Sequence, residues 1–182
     1  MLFRSHPKAV VVATDAWTAA KLLKWPEPKP GRAVTCLYFG ANHSPIKEPT
    51  LVLNGDDNGP INNLAVMSDV SPSYAPEGQS LISVSVLGDP ADDDATLIAG
   101  VQKQLVSWYG DAAAGWRHLK TYRIHNALSD QTAPALDPPR RPARISNGIY
   151  VCGDHVTDAS INGALLSGWR AAQAVAEDLA GN

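Results

Sequence analysis

The stretch Gly148 to Val175 reads GIYVCGDHVTDASINGALLSGWRAAQAV, and the kind of fold the chain adopts turns on its pattern. Ile149 to Cys152 is a short apolar run suited to a buried strand. Gly153 at its carboxyl end permits close backbone approach, and Asp154 sets a carboxylate where ligands of open α/β sheets bind. Ser160 is a good N-cap, and Ile161, Leu165, Gly168, Ala172, Val175 and Leu179 then recur at spacings of four and three, on one helical face. The first-turn amides near Ile161, Asn162 and Gly163 point unpaired beyond the strand end, where the helix dipole favours negative charge. Gly163, Ala164 and Gly168 leave room for a flat group. The same spacing also suits a plain amphipathic helix packed on a strand, with Gly-Asp as a simple turn.

Further out, Lys8 to Leu23 (KAVVVATDAWTAAKLL) is a second strand-then-helix segment, its apolar run Ala9 to Ala13 suited to a buried parallel strand. WPEPKPGR, residues 25–32, breaks all regularity and predicts a crossing between structural units. The period then changes. RAVTCLYFG, TLVLNG, INNLAVMSDV and SLISVSVLG are β-rich runs separated by Gly, Pro and Asn, which predicts an antiparallel or mixed sheet. A helix capped near Asp92, with Asp93 and Asp94 in its first turn, carries Leu97, Ile98, Val101, Leu105 and Trp108 on the face that covers this sheet. LKTYRIHNAL reads as one more strand, and APALDPPRRPAR as an extended, proline-stiffened return. The expectation is therefore a mixed α/β fold in which residues 6–30 and 141–182 form one domain, interrupted by a sheet-and-helix domain over residues 31–140.

Composition excludes several classes of function. A formal charge of −3 with 15 scattered basic residues gives no electrostatic footprint for nucleic acid. No apolar run approaches the roughly 20 residues of a membrane span, and the start lacks a secretory pattern, so a soluble, cytoplasmic chain is expected. Cys36 and Cys152 lie in apolar strand-like runs and form no CxxC pair, which suits buried reduced thiols.

The Gly148 to Val175 stretch resembles the C-terminal FAD-binding motif of the flavin-dependent amine oxidase and phytoene desaturase superfamily: apolar strand, Gly-Asp, variable loop, then a helix with Gly-Ala, Ser-Gly and paired alanines. The resemblance implies that Asp154 bonds the ribityl or phosphate side of FAD, with the Gly153 backbone near the pyrophosphate. It likewise implies that Ser160, Ile161, Asn162 and Ala164 belong to the helix start facing the flavin C2 carbonyl. That placement agrees with the chemistry, since a reduced flavin carries negative charge at N1 and the C2 oxygen. AVVVATDAWTAAKLL also resembles the family, where a similar strand precedes the crossing into the substrate domain; Ala13 and Thr14 pass near the phosphate side or are merely structural. By this resemblance the first domain is an incomplete Rossmann-like FAD-binding domain and the second the substrate domain. FAD and a small amine, polyene or other hydrophobic substrate would be the partners, with hydride passing to flavin N5.

The family's G-x-G-x-x-G fingerprint is absent, because no two glycines here are separated by one residue. LFRS from Leu2 also matches one frame of a common sequencing adapter. The expectation is a truncated C-terminal segment, inactive alone. The alternative is a non-catalytic subunit or remnant that joins a separately encoded dinucleotide-binding half. NGDDNG, from Asn54, mimics an EF-hand loop but has Ala65 where the bidentate Glu is needed, so a hairpin turn is expected. His6, His43, His118, His125 and His155 show no metal-ligand spacing, and no residue claims a proton-transfer or nucleophilic role. His155, beside Asp154, either touches the flavin's polar edge or, as expected here, has an ordinary solvent-facing or loop role, and Trp108 and Trp169 are expected to pack in cores.

Overall fold

The computed structural model describes residues 6–134, 137–138 and 140–181. The chain divides into two compact units, one formed by the segments up to Gly31 and from Leu128 onward, the other running from Arg32 to Ala127. The mixed α/β class expected from the sequence is the class observed.

In the discontinuous unit, strand β1 (Val10–Val12) leads into helix α1 (Ala16–Leu23). Asp15 caps α1, its Oδ1 accepting the amides of Trp17 at 3.0 Å and Thr18 at 2.9 Å. The Thr18 hydroxyl, bonded to the same carboxylate, is the main reason that the Asp15 carboxyl is held below the usual range. Near the chain's end come β7 (Arg144–Ser146), β8 (Ile149–Val151) and helix α5 (Ile161–Ala180). The strands form one sheet in the order β1-β8-β7, with β1 parallel and β7 antiparallel to β8. Successive side chains of a strand face opposite sides. Val12 and Val151, paired across the strands, pack with Ala19 and Leu23 of α1 and with Val156. Tyr150, the neighbour of Val151, donates its hydroxyl to Asp178 of α5 at 2.6 Å. The two helices therefore lie on opposite faces of a three-stranded sheet.

The second unit carries β2 (Arg32–Ala41), β3 (Leu51–Leu53), β4 (Asn63–Val66), β5 (Ser80–Leu87) and β6 (Arg117–Leu128), whose last residue belongs to the other unit. Their order is β3-β4-β5-β2-β6, and β2–β5, β4–β5 and β3–β4 pair antiparallel. Between β4 and β5 the run INNLAVMSDV does not stay extended: Met67–Val70 forms a short helical turn, α2, closed by the Ser71 amide on the Met67 carbonyl. Helix α3 (Asp94–Tyr109) covers the sheet and is followed by the single turn α4 (Asp111–Ala114). Leu97, Val101 and Leu105 are buried against Leu37, Phe39, Leu64, Ile82 and Val84, with Ile98 and Trp108 at the margin, as their spacing predicts. The cap is Asp93 rather than Asp92; its Oδ1 accepts the Thr96 amide at 2.7 Å, which places Asp92 before the helix.

The NGDDNG segment lies in the 54–62 connection between antiparallel β3 and β4, a wider loop than a tight turn. Its organiser is buried Gln104 of α3, which accepts the Ile61 amide at 2.9 Å and donates to the Asn58 carbonyl at 2.6 Å. The APALDPPRRPAR return lies partly outside the described residues, since Ala135, Leu136 and Pro139 are not among them.

Leu105→Ala is expected to lower the stability of the second unit by about 2–5 kcal/mol through the cavity it leaves. Urea unfolding followed by circular dichroism measures this, and a loss under about 0.5 kcal/mol would mean that α3 does not close the core.

Candidate functional site

The carboxyl end of β8 meets the start of α5, and a single hydroxyl joins them. Ser167, one of three buried residues on α5 with Gly163 and Ala171, accepts the Gly153 amide at 2.9 Å. Its own proton lies within reach of the Gly153 carbonyl at 2.9 Å and the Ala164 carbonyl at 2.8 Å. Gly153 can be held this way because it lacks a side chain. Its φ is +148°, and a Cβ there would sit 2.6 Å from the His155 ring and 3.2 Å from the Thr14 carbonyl. The Thr14 contact also shows that the ends of β1 and β8 lie side by side.

Beyond Gly153 the chain makes one 3₁₀ turn, Asp154–Val156, and then reaches Ser160, which caps α5 by accepting the Gly163 amide at 2.9 Å. The Ser160 hydroxyl is itself bonded to the Asp158 carboxylate, and this bond is the main cause of the lowered Asp158 carboxyl. The Asp158 backbone passes so close over the helix that a Cβ on Gly163 would lie 2.1 Å from its carbonyl oxygen. Ile161 and Asn162 occupy the first two helical positions, both exposed, and their amides have no acceptor within the helix. Ala164 is half-buried behind them, and the Asp154 side chain is 30% exposed at the strand end. Sequence reasoning thus placed Gly153 and Asp154 on the strand end and Ser160, Ile161, Asn162 and Ala164 on the helix start, and Ser167 fastens the strand end to the helix. Ser167 was not selected from the sequence, although the Ser-Gly pair in the middle of the helix was its signal.

One expectation is corrected and one is narrowed, since His155 does lie in the loop between β8 and α5. His155 does not face solvent: its side chain is only 8% exposed and neither ring nitrogen has a hydrogen-bond partner among the described residues. Burial depresses its pKa below the ordinary 6.5, against the opposing pull of the Asp154 carboxylate. Trp169 does not pack in a core but is 59% exposed, as are Ile161 at 81% and Leu165 at 68%. The physical reason is that α5 approaches the sheet through its smallest residues, so its large apolar side chains lie on the outer flank. Periodicity marks which residues share a direction, not which direction is packed.

At the other end of the helix, Asp178 accepts Tyr150 Oη and Arg144 Nε at 2.6 and 2.7 Å, and Arg144 Nη2 bonds its second oxygen. The Tyr150 hydroxyl, ahead of the Arg144 guanidinium, holds the Asp178 carboxyl below the usual range. Among the described residues no group of three or more acidic, His or Cys side chains could hold a metal ion, and no helix is long and apolar enough to cross a membrane.

A helix start with outward-facing amides, preceded by a strand-end glycine and a partly exposed carboxylate, has the donor and acceptor set for a flavin's polar edge and ribityl chain. The sequence accords with that reading: residues 5–176 match the flavin containing amine oxidoreductases, and the chain belongs to that family. Membership implies FAD as the cofactor. Among solved structures, the chain is similar to an oxidoreductase from Methanosarcina mazei (TM-score 0.61, 16% identity), covering 87% of this chain and 37% of that one. It is also similar to the PF1083 protein from Pyrococcus furiosus (0.53, 17% identity, 84% and 33% covered). A third is reduced UDP-galactopyranose mutase (0.55, 16% identity, 69% and 28% covered). These likenesses are of fold, and this chain spans about a third of the length of those proteins. No curated protein matches the sequence.

Three outcomes follow from the joint. Ser167→Ala is expected to cost about 1 kcal/mol, because it takes the acceptor from the part-buried Gly153 amide; chemical denaturation reads the loss. Gly163→Ala is expected to destabilise, whereas Gly168→Ala, whose Cβ meets nothing within 4 Å, should stabilise by about 0.5–1 kcal/mol as an ordinary helix-interior replacement. The pH profile carries the sign of the His155 shift: with the folded pKa depressed, the unfolded chain binds the proton first. Stability from this group is therefore complete above about pH 6.5 and is lost as pH falls from there toward the folded value. Thermal unfolding should show a falling midpoint between about pH 7.5 and 5.5, and the slope should shrink in His155→Gln.

Proposed function

We propose that the chain is the C-terminal segment of an FAD-dependent oxidoreductase that removes a hydride from an amine, polyene or other hydrophobic substrate. In this reading the discontinuous unit is part of a FAD-binding domain and the unit from Arg32 to Ala127 is a substrate domain with a covering helix. The observation that carries it is the strand-end and helix-start pair: Gly153 clamped by Ser167, with the Ile161 and Asn162 amides directed outward at the positive end of a 20-residue helix.

When bound, the flavin supplies the hydride acceptor at N5. The chain's own residues bind and orient. Asp154 would accept a ribityl hydroxyl, and the Gly153 backbone would lie beside the pyrophosphate. Ser160 keeps the helix start in shape by capping Gly163, so the Ile161 and Asn162 amides stay aimed at the C2 oxygen and favour negative charge there without reorganising. Ala164, half-buried behind this turn, keeps the approach open to a flat ring. No side chain is assigned a proton transfer.

A second reading, favoured by the exposed Ile161, Leu165 and Trp169, is a non-catalytic subunit that associates with a separate dinucleotide-binding half. One experiment separates the two: titrate FAD into the chain together with a glycine-rich dinucleotide-binding segment of a family member supplied in trans, and follow flavin absorbance and its reduction by amines. The oxidoreductase reading expects FAD to be retained and reduced, with affinity falling roughly tenfold or more in Asp154→Ala, about 1.4 kcal/mol. Association without flavin retention, or retention indifferent to Asp154, would leave only the subunit reading.

A further inference from the structure

Two neighbours on the 3₁₀ turn after β8 have opposite surroundings. The Asp154 side chain is 30% exposed at the strand end, whereas the His155 ring is folded inward, with both nitrogens closed to water and without a hydrogen-bond partner among the described residues. Nδ1 nevertheless stands 3.8 Å from Asp154 Oδ1, just beyond hydrogen-bond reach. Native structures rarely leave buried ring nitrogens unpaired without a reason.

The neutral ring tolerates this place and the protonated ring does not. Neutral imidazole carries one N–H and one acceptor, while the cation carries two donors and a charge. A buried charge without a partner is far more costly than a buried polar group. Burial accordingly depresses the basicity of His155. The charged groups around the ring come from several segments. Asp154 on its own turn and Asp15 at the cap of α1 favour the cation, and Arg141 on the return segment opposes it; Lys29 and Asp130 line the cavity that His155 also borders. Asp15 is committed to the Trp17 and Thr18 amides and the Thr18 hydroxyl, and Asp130 to the amide and hydroxyl of Thr132. Asp154 is within a side-chain rotation of Nδ1.

The backbone around the pair is pinned. Ser167 holds the Gly153 amide, and the Thr157 amide closes the turn on the Asp154 carbonyl at 3.2 Å. The Arg141 amide bonds the Val156 carbonyl and the Gln131 side chain the Thr157 carbonyl, both at 3.2 Å. The ring packs so closely on Gly153 that a Cβ there would lie 2.6 Å from it. What is left to move is the carboxylate. We propose that protonation of His155 swings the Asp154 carboxylate inward onto the Nδ1–H, so that the pair is a proton-operated switch that withdraws an acceptor from the strand end. Its consequence for the cofactor rests on the flavin reading: with Asp154 turned inward, FAD loses a ribityl partner, and by linkage bound FAD disfavours the His155 cation.

The switch is tested on the full chain without cofactor, by NMR between about pH 7.5 and 5. The imidazole ¹⁵N signals of His155, assigned by their loss in His155→Gln, give its protonation midpoint. Three-bond couplings to Asp154 Cγ, which report χ1, give the position of the carboxylate. The expected result is a change of Asp154 rotamer at the His155 midpoint, absent in His155→Gln, with proton affinity about threefold weaker in Asp154→Asn. Circular dichroism checks that the variants are folded; should His155→Gln unfold, the isosteric Asp154→Asn change at a partly exposed site decides. A rotamer that ignores the His155 midpoint, or a midpoint unmoved in folded Asp154→Asn, overturns the proposal. FAD affinity, measured with the dinucleotide-binding segment in trans, should fall about fivefold between about pH 7.5 and 5.5, and the fall should vanish in His155→Gln. Equal affinity at both pH values while the rotamer changes overturns the link to the cofactor. No FAD binding at any pH refutes the flavin reading and leaves the switch to be decided by the couplings.

Discussion

The Ser167 hydroxyl accepts the Gly153 amide and stands at the same 2.9 Å from the Gly153 carbonyl, so strand end and helix share one set of hydrogen bonds. An extended residue at the edge of a sheet normally loses its partners where the strand stops. Here a side chain from the middle of α5 replaces the missing strand, and this sets where Asp154 leaves the sheet and where the loop to Ser160 begins. The glycine conformation, the His155 ring beside it and the pass of Asp158 over Gly163 gather around that meeting point. A larger residue at position 167 would hold the helix off the sheet.

The two helices use the sheet differently. α1 packs by ordinary apolar burial, Ala19 and Leu23 on Val12 and Val151, and is started by a carboxylate cap. α5 packs through glycine, serine and alanine, with polar fastenings at Gly153 and Asp178. Small residues let the backbone of α5 approach the strand closely, and close approach makes a side chain–backbone bond between them possible. The second unit shows the more familiar economy of a five-stranded sheet under a 16-residue helix, where alternation in the strands meets a helical stripe.

Much of this was legible in the sequence, for identifiable reasons. Alternating runs marked β2 and β5, and the Leu97, Val101, Leu105 spacing marked the covering face of α3, because in each case burial on one side imposes a period. Ser160 was legible as a cap because few residue types bond a helix's first amides. The misplaced residues share a cause. Trp169 and His155 lie where the partner surface, not the local pattern, decides burial: a tryptophan at core spacing faces outward, and a histidine beside a turn folds inward under Gly153. The helical turn after Val66 was hidden because Met67 and Val70 continue an apolar composition while the chain leaves the sheet. Ser167 was hidden because one hydroxyl in a helix looks the same whether it meets water or a strand.

The fastenings of α5 have a geometric corollary. Ser167 and Asp178 are eleven residues apart, about three helical turns with some 20° to spare, so both project along nearly the same line of the cylinder. The helix is held like a keel bolted along one seam. Ile161, Leu165 and Trp169 lie on the far side and bear none of that load. Their identities can therefore drift, or adapt to whatever they meet, while the axis and the aim of the first-turn amides stay fixed.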